Sequence, residues 1–222
     1  MLELIDEIAS RNSFVLGGES VLEARWHHRL TTEVNFFTSE ECMLKFIDPF
    51  IQLTNTEKWA NRGVCIEQIF GAFGVIGNTP CGEFSIYGSP SFSENSRTDE
   101  EVEGTGVYSR STSEILLRIV RARMIHTTLY YSRDAYDVVV AILIAPKELK
   151  LVLENLTFLE RVSLEFDRQR TDVRIRDLEE LIQPKYPQIV VNLQAHLFNA
   201  LTEKMCSEDF QRILNLDEES PN

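Results

Sequence analysis

The densest chemistry in the chain lies between Leu16 and Phe37. Gly17-Gly18 separates a short apolar run, Phe14-Val15-Leu16, from an amphipathic stretch that opens with Glu19 and Ser20. A glycine pair between strand and helix lets a phosphate approach the backbone and meet the N–H groups of the helix start. Thr32 to Phe37 is rich in β-branched and aromatic residues and predicts a strand, on which Glu33 and Asn35, two apart, share one face. Two acids at that spacing are how a short strand holds catalytic magnesium beside a triphosphate. Here the second position is a neutral amide. A half-exposed strand also alternates in this way without any site, and Glu19 sets a negative charge where phosphate would sit.

A second block, Arg133-Asp134-Ala135-Tyr136-Asp137, opens a predicted helix. Its two carboxylates complement the helix dipole whatever else they do. Arg118, Arg121, Arg123 and Arg133 form a basic cluster free of interleaved acids. It suits phosphate or RNA, and equally a solvated helix face or a contact with the rest of this acidic chain. His27 and His28 follow a helix and read as cap or packing residues; Trp26 and Trp59 read as core.

Together the two blocks resemble the AbiEii/AbiGii toxin-like nucleotidyltransferases. That family's pattern is Gly-Gly-x-Ser/Thr, then His-Arg-x-Thr/Ser-x-Asp-hydrophobic-Asp-Phe-Phe. This chain reads Gly17-Gly18-Glu19-Ser20, then His28-Arg29-Leu30-Thr31-Thr32-Glu33-Val34-Asn35-Phe36-Phe37. The family's later segment is matched by Glu114-Ile115-Leu116-Leu117-Arg118-Ile119 and by Arg133-Asp134-Ala135-Tyr136-Asp137-Val138, about a hundred residues downstream.

The resemblance implies a small nucleotidyltransferase core with a helical appendage. It implies transfer of a nucleotidyl group from an NTP to RNA or protein, in a toxin–antitoxin or anti-phage setting. Glu33 and Asn35 would then hold Mg2+, with Asp134 and Asp137 assisting catalysis. Gly17, Gly18, Ser20, Arg29, Thr31, Arg118 and Arg121 would seat the nucleotide. The expected partners are an acceptor RNA or protein and a cognate antitoxin or defence-complex subunit. The departures fall within the site: Glu33 and Asn35 replace an aspartate pair, and Ile119 stands where the family has a lysine. A catalytically silent copy of the fold, retained for binding, is therefore the rival reading. An unrelated α+β binding protein is the third.

The elements that must position these residues follow from the apolar pattern. Residues 1–12 predict a short helix, Glu19 to His28 a second, and Ser39 caps a third running to Leu53, kinked or split at Pro49. Short strands separated by glycines occupy 63–88, and 89–106 reads as a mobile insertion or a long hairpin. From Ser113 onward, helices cover about 114–127, 133–145, 147–156, much of 157–183 and 187–213, ahead of a frayed tail. Arg161 to Asp177 alternates charges and reads as a salt-bridged surface helix. The fold class is α+β: a nucleotidyltransferase-like mixed sheet with flanking helices over 1–112, then a helical region over 113–222. The 222 residues, 43% of them hydrophobic, suffice for a real core. A net charge of −13 argues against a protein that coats nucleic acid. Val138 to Ala145, the longest apolar run, is too short to cross a bilayer, and Glu3, Asp6 and Glu7 stand where a signal peptide carries positive charge. The expectation is a cytoplasmic protein with no membrane partner. Cys42, Cys65, Cys81 and Cys206 lack any paired spacing and read as buried, reduced thiols.

Overall fold

The computed structural model describes residues 2–70, 73–88, 106–169, 175–176, 183–202, 206, 208 and 211–212, and the backbone of 97–101. Contacts divide the chain into two compact units: Met1–Val21 with Thr31–Ser111, and Leu22–Leu30 with Thr112–Asn222.

The first unit is built on one sheet. Helix α1 (Leu2–Asp6) and a 3-10 turn (Arg11–Ser13) lead into strand β1 (Val15–Gly17) and the start of helix α2 (Glu19–Trp26). Strand β2 (Glu33–Thr38), helices α3 (Glu40–Thr54) and α4 (Glu57–Ala60), and strands β3 (Cys65–Ile69), β4 (Gly74–Thr79), β5 (Gly82–Gly88), β6 (Arg97–Glu101) and β7 (Tyr108–Arg110) follow. The strand order is β3-β4-β5-β2-β1-β7-β6. The β2–β5 and β1–β7 pairs run parallel and the rest antiparallel, so the sheet is mixed, as the sequence predicts.

Ser39 caps α3 by accepting the Cys42 N–H at 3.1 Å. The helix is a single element through Pro49, not split there. Its buried stripe of Met43, Phe46, Ile47 and Phe50 offsets the lost backbone bond. That stripe joins Leu4, Ile5, Phe14, Phe36, Trp59, Val75, Phe84 and Ile86 in the core of this unit. The N-terminal helix is shorter than predicted, because the chain tightens into the 3-10 turn before β1. Of the 89–106 segment, Arg97–Glu101 pairs antiparallel with Tyr108–Arg110, which is the hairpin alternative; the remaining positions except Gly106 lie outside the described residues.

The second unit is helical: α5 (Thr112–Arg118), a π-helical stretch (Ile119–Ile125), α6 (Ser132–Ile144), α7 (Pro146–Asn155), α8 (Phe158–Gln169), α9 (Pro187–Val191) and α10 (Leu193–Leu201). Its central member is α6, buried from Asp134 through Ile142. An apolar run on every side of a helix requires neighbours all round, and α10, α7 and α9 pack against it. Ser113 and Ser132 lie inside their helices and do not cap them. The predicted helical stretches beyond Gln169 and beyond Thr202, and the tail, fall largely outside the described residues.

The cysteine expectation is corrected. Cys65, Cys81 and Cys206 are exposed and Cys42 is half-buried. Cys65 lies on the edge strand β3, whose side chains are mostly solvent-facing, and Cys81 sits in the β4–β5 turn, so neither has a core to enter. Among the described residues, no helix is long and apolar enough to cross a membrane.

Phe46 contacts Phe14 edge-on at 5.0 Å and stacks with Phe50 at 4.9 Å. Phe46→Ala is expected to cost about 3–5 kcal/mol, read as a lower urea midpoint at unchanged slope.

Candidate functional site

In the first unit, the β1–turn–α2 corner is fixed by pairing. Gly17 stands opposite Asn35 in the antiparallel β1–β2 register. Gly18 takes φ +76°, the left-handed region that favours glycine, and a Cβ there would come within 3.0 Å of Asn35 Nδ2. Helix α2 opens at the next residue, so Gly17, Gly18 and Asn35 meet at one corner of the sheet. Glu33 and Asn35 are half-buried and share a strand face with Phe37. The Glu33 N–H donates to Thr31 Oγ1 at 3.4 Å. The hydroxyl of Ser20 is buried without a hydrogen-bond partner, and Glu19 is buried beside it in the chain.

The amide of Asn35 is already engaged. Ser85, buried on β5 and directly across from Asn35 in the parallel β2–β5 register, donates its hydroxyl to Asn35 Oδ1. Nearby, the Arg110 guanidinium lies 4.4 Å from the Phe37 ring centroid, in cation–π geometry. Neither Ser85 nor Arg110 is singled out in the sequence. The signal for Ser85 is a small hydroxyl set between Phe84 and Ile86.

Among the described residues, no group of three or more His, Cys, Asp and Glu side chains could hold a metal ion. The β2 pair offers one carboxylate and one amide oxygen that already accepts a hydrogen bond. Magnesium favours carboxylate-rich, near-octahedral oxygen sets. This donor set does not fit a resident magnesium ion.

In the second unit, the other predicted residues meet acids or bases of their own. Both oxygens of Asp137 accept from Arg29, at 2.7 Å from Nε and 2.8 Å from Nη2, in a bidentate fork. His28 Nε2 lies 2.7 Å from Asp137 Oδ1. These three side chains are at most 1% exposed. Burial alone would raise the Asp137 carboxyl, but the charge and hydrogen bonds of Arg29, with the His28 bond, outweigh it and hold it below the usual carboxylate range. Tyr136 stacks on His28 with centroids 5.8 Å apart, donates to the His28 carbonyl at 3.2 Å and accepts the Tyr186 N–H at 2.9 Å. Burial pushes the Tyr136 hydroxyl up to about 12.

Asp134, also buried, receives Arg123 at 3.0 Å on each oxygen. Arg121 is bound to Glu160 at 2.7 Å and to the Asn155 carbonyl at 2.9 Å. Arg118 ends α5 on the exposed side. What local sequence does not reveal is the reach of these pairs: Arg29 and Asp137 are 108 positions apart.

Asp137→Asn keeps the shape but strips the charge that compensates buried Arg29. The expected loss is about 3–5 kcal/mol. Because the folded pKa of Asp137 is depressed, its contribution is present above the unfolded value near 4 and fades as pH falls below it. Urea unfolding at a series of pH values should show the gap between parent and variant closing below about pH 4. A gap independent of pH would refute the charge account.

No protein-family profile matches the chain, and no curated protein matches it in sequence. Among solved structures, JHP933 from Helicobacter pylori is similar at 15% identity and a TM-score of 0.48, over 98% of this chain and 96% of that one. Another H. pylori structure, described as a candidate nucleotidyltransferase, is similar at 14% identity and a TM-score of 0.45, over 99% and 96%. The antibiotic-resistance factor ANT(2'')-Ia is similar at 12% identity and a TM-score of 0.41, over 76% and 88%.

Proposed function

We propose that this chain is a nucleotidyltransferase-fold protein of the AbiEii-like kind that has kept the architecture and lost metal-dependent transfer. In this reading it is a binding subunit of a toxin–antitoxin or anti-phage complex. The observation that carries the reading is the Asn35 amide. It faces the Gly17-Gly18 turn and accepts a hydrogen bond from Ser85, at the position where the resembling family has a second metal-binding carboxylate.

The second unit supports the same reading. A carboxylate that assists phosphoryl chemistry must be free to meet a cation or a proton in transit. The Asp137 carboxylate is occupied by the Arg29 fork, and both oxygens of Asp134 accept from Arg123 Nη1. Of the basic residues expected near the nucleotide, Arg29 and Arg121 have carboxylate partners of their own. Neutralised internally, these groups add little attraction for a triphosphate, and the net charge of −13 opposes its approach.

Calorimetry with each NTP and magnesium is therefore expected to show binding weaker than low-micromolar. Low-micromolar affinity for any of them would reject the silent-copy reading.

The double variant Glu33→Asp with Asn35→Asp supplies the independent control. It restores two short carboxylates on one strand face, with Ser85 still able to donate to one of them. At a metal concentration ten times its Kd, binding to the folded state alone adds about 1.4 kcal/mol. Magnesium should raise the melting temperature of the variant and leave the parent unmoved. Equal shifts in both would contradict the loss of the metal site.

A further inference from the structure

Helix α8 presents two unlike faces. Leu164 and Asp167 are buried, and Asp167 accepts the hydroxyl of buried Tyr130 at 2.7 Å. On the other side, Phe158 is 79% exposed, Leu159 76%, Val162 47% and Phe166 63%. At 100° per residue these four side chains fall within about 100° of arc, a continuous apolar stripe. The charged residues along the helix do not break it. Glu160 is drawn to Arg121, Arg161 to the Leu153 and Leu156 carbonyls, and Arg168 to Glu165. The expected salt-bridged surface helix is thus only half the description.

Phe158, Val162 and Phe166 are placed symmetrically along the stripe, with Leu159 beside them. Val162 has a phenylalanine four residues before it and another four residues after it. Side chains spaced by four form the ridge along which helices pack most often. If two such ridges cross about a two-fold axis at Val162, each Phe158 meets the other copy's Phe166, and the two small valines face each other. An isologous contact requires this self-complementarity. The four side chains expose roughly 500 Å², so pairing two copies removes about 1,000 Å² from water, the lower limit of a specific interface.

We propose that the α8 stripe is the interface of a homodimer, two copies crossing about a two-fold axis at Val162. This surface shares no residue with the β1–β2 corner, and its test reads no nucleotide or metal. With a net charge of −13 on each copy, the dimer should tighten as salt screens the repulsion.

The experiment compares the full chain with Val162→Glu and Val162→Lys by sedimentation and light scattering. The parent is expected at twice the 25.6 kDa chain mass in moderate salt and at concentrations up to about 0.2 mM, as befits a small interface. Each variant should be monomeric, its Kd raised about 100-fold or more by the buried like charges. Circular dichroism should be unchanged, since the position is exposed in the single chain. An equimolar mixture of the two variants should recover the dimer, because in this geometry residue 162 faces only itself. A parent that stays monomeric throughout overturns the proposal, as does a variant that dimerises like the parent. Monomeric variants that fail to pair when mixed overturn the two-fold register at Val162.

Discussion

A single carboxylate organises the helical unit. Asp137 is wholly buried, and removing its charge from water would be unfavourable by several kcal/mol without partners. The Arg29 fork and the His28 ring supply those partners, and in doing so pin the segment Leu22–Leu30 to α6. Tyr136 extends the arrangement through the His28 carbonyl, which also accepts the Lys185 N–H at 2.7 Å. Three stretches of chain, distant in sequence, are thereby held in one relation. A hydrophobic contact would tolerate sliding between them; a fork of two parallel hydrogen bonds does not.

The sheet unit reaches specificity differently. Its core is apolar and aromatic; on β2, Glu33 and Asn35 share one face, while Thr38, on the other, donates its hydroxyl to the Ser13 carbonyl. Asn35 and Ser85 satisfy each other across two parallel strands. A carboxylate at position 35 would add a charge to a half-buried position, whereas the amide is neutral and accepts the Ser85 hydroxyl. The amide therefore suits a fold that is stable without a ligand in that corner.

Much of this was legible in the sequence where local chemistry decides structure. Gly17-Gly18 after an apolar run and before Glu19 could only be a strand-to-helix turn, and the alternation of β2 fixed which residues share a face. Ser39 declared the start of α3. The misses concern contacts between distant positions. Asp137 reads locally as an acid in a first helical turn, and nothing near it reveals Arg29. The alternating charges along 160–168 mask a row of apolar residues spaced by four between them. The cysteines were assigned to a core by residue type, whereas edge strand and turn positions govern their exposure.

The division of the chain between its units has a consequence for biosynthesis. A ribosome delivers Leu22–Leu30 early, with the first unit still incomplete, yet these residues belong with helices made much later. At about 5–20 residues per second, Arg29 waits roughly 5–20 s for Asp137 to be synthesised. During that interval Leu22–Leu30 lacks the helices with which it clusters in the finished chain. Until the last helices emerge, this stretch, with Glu23, Arg25 and Arg29 on it, is open to chaperones and proteases.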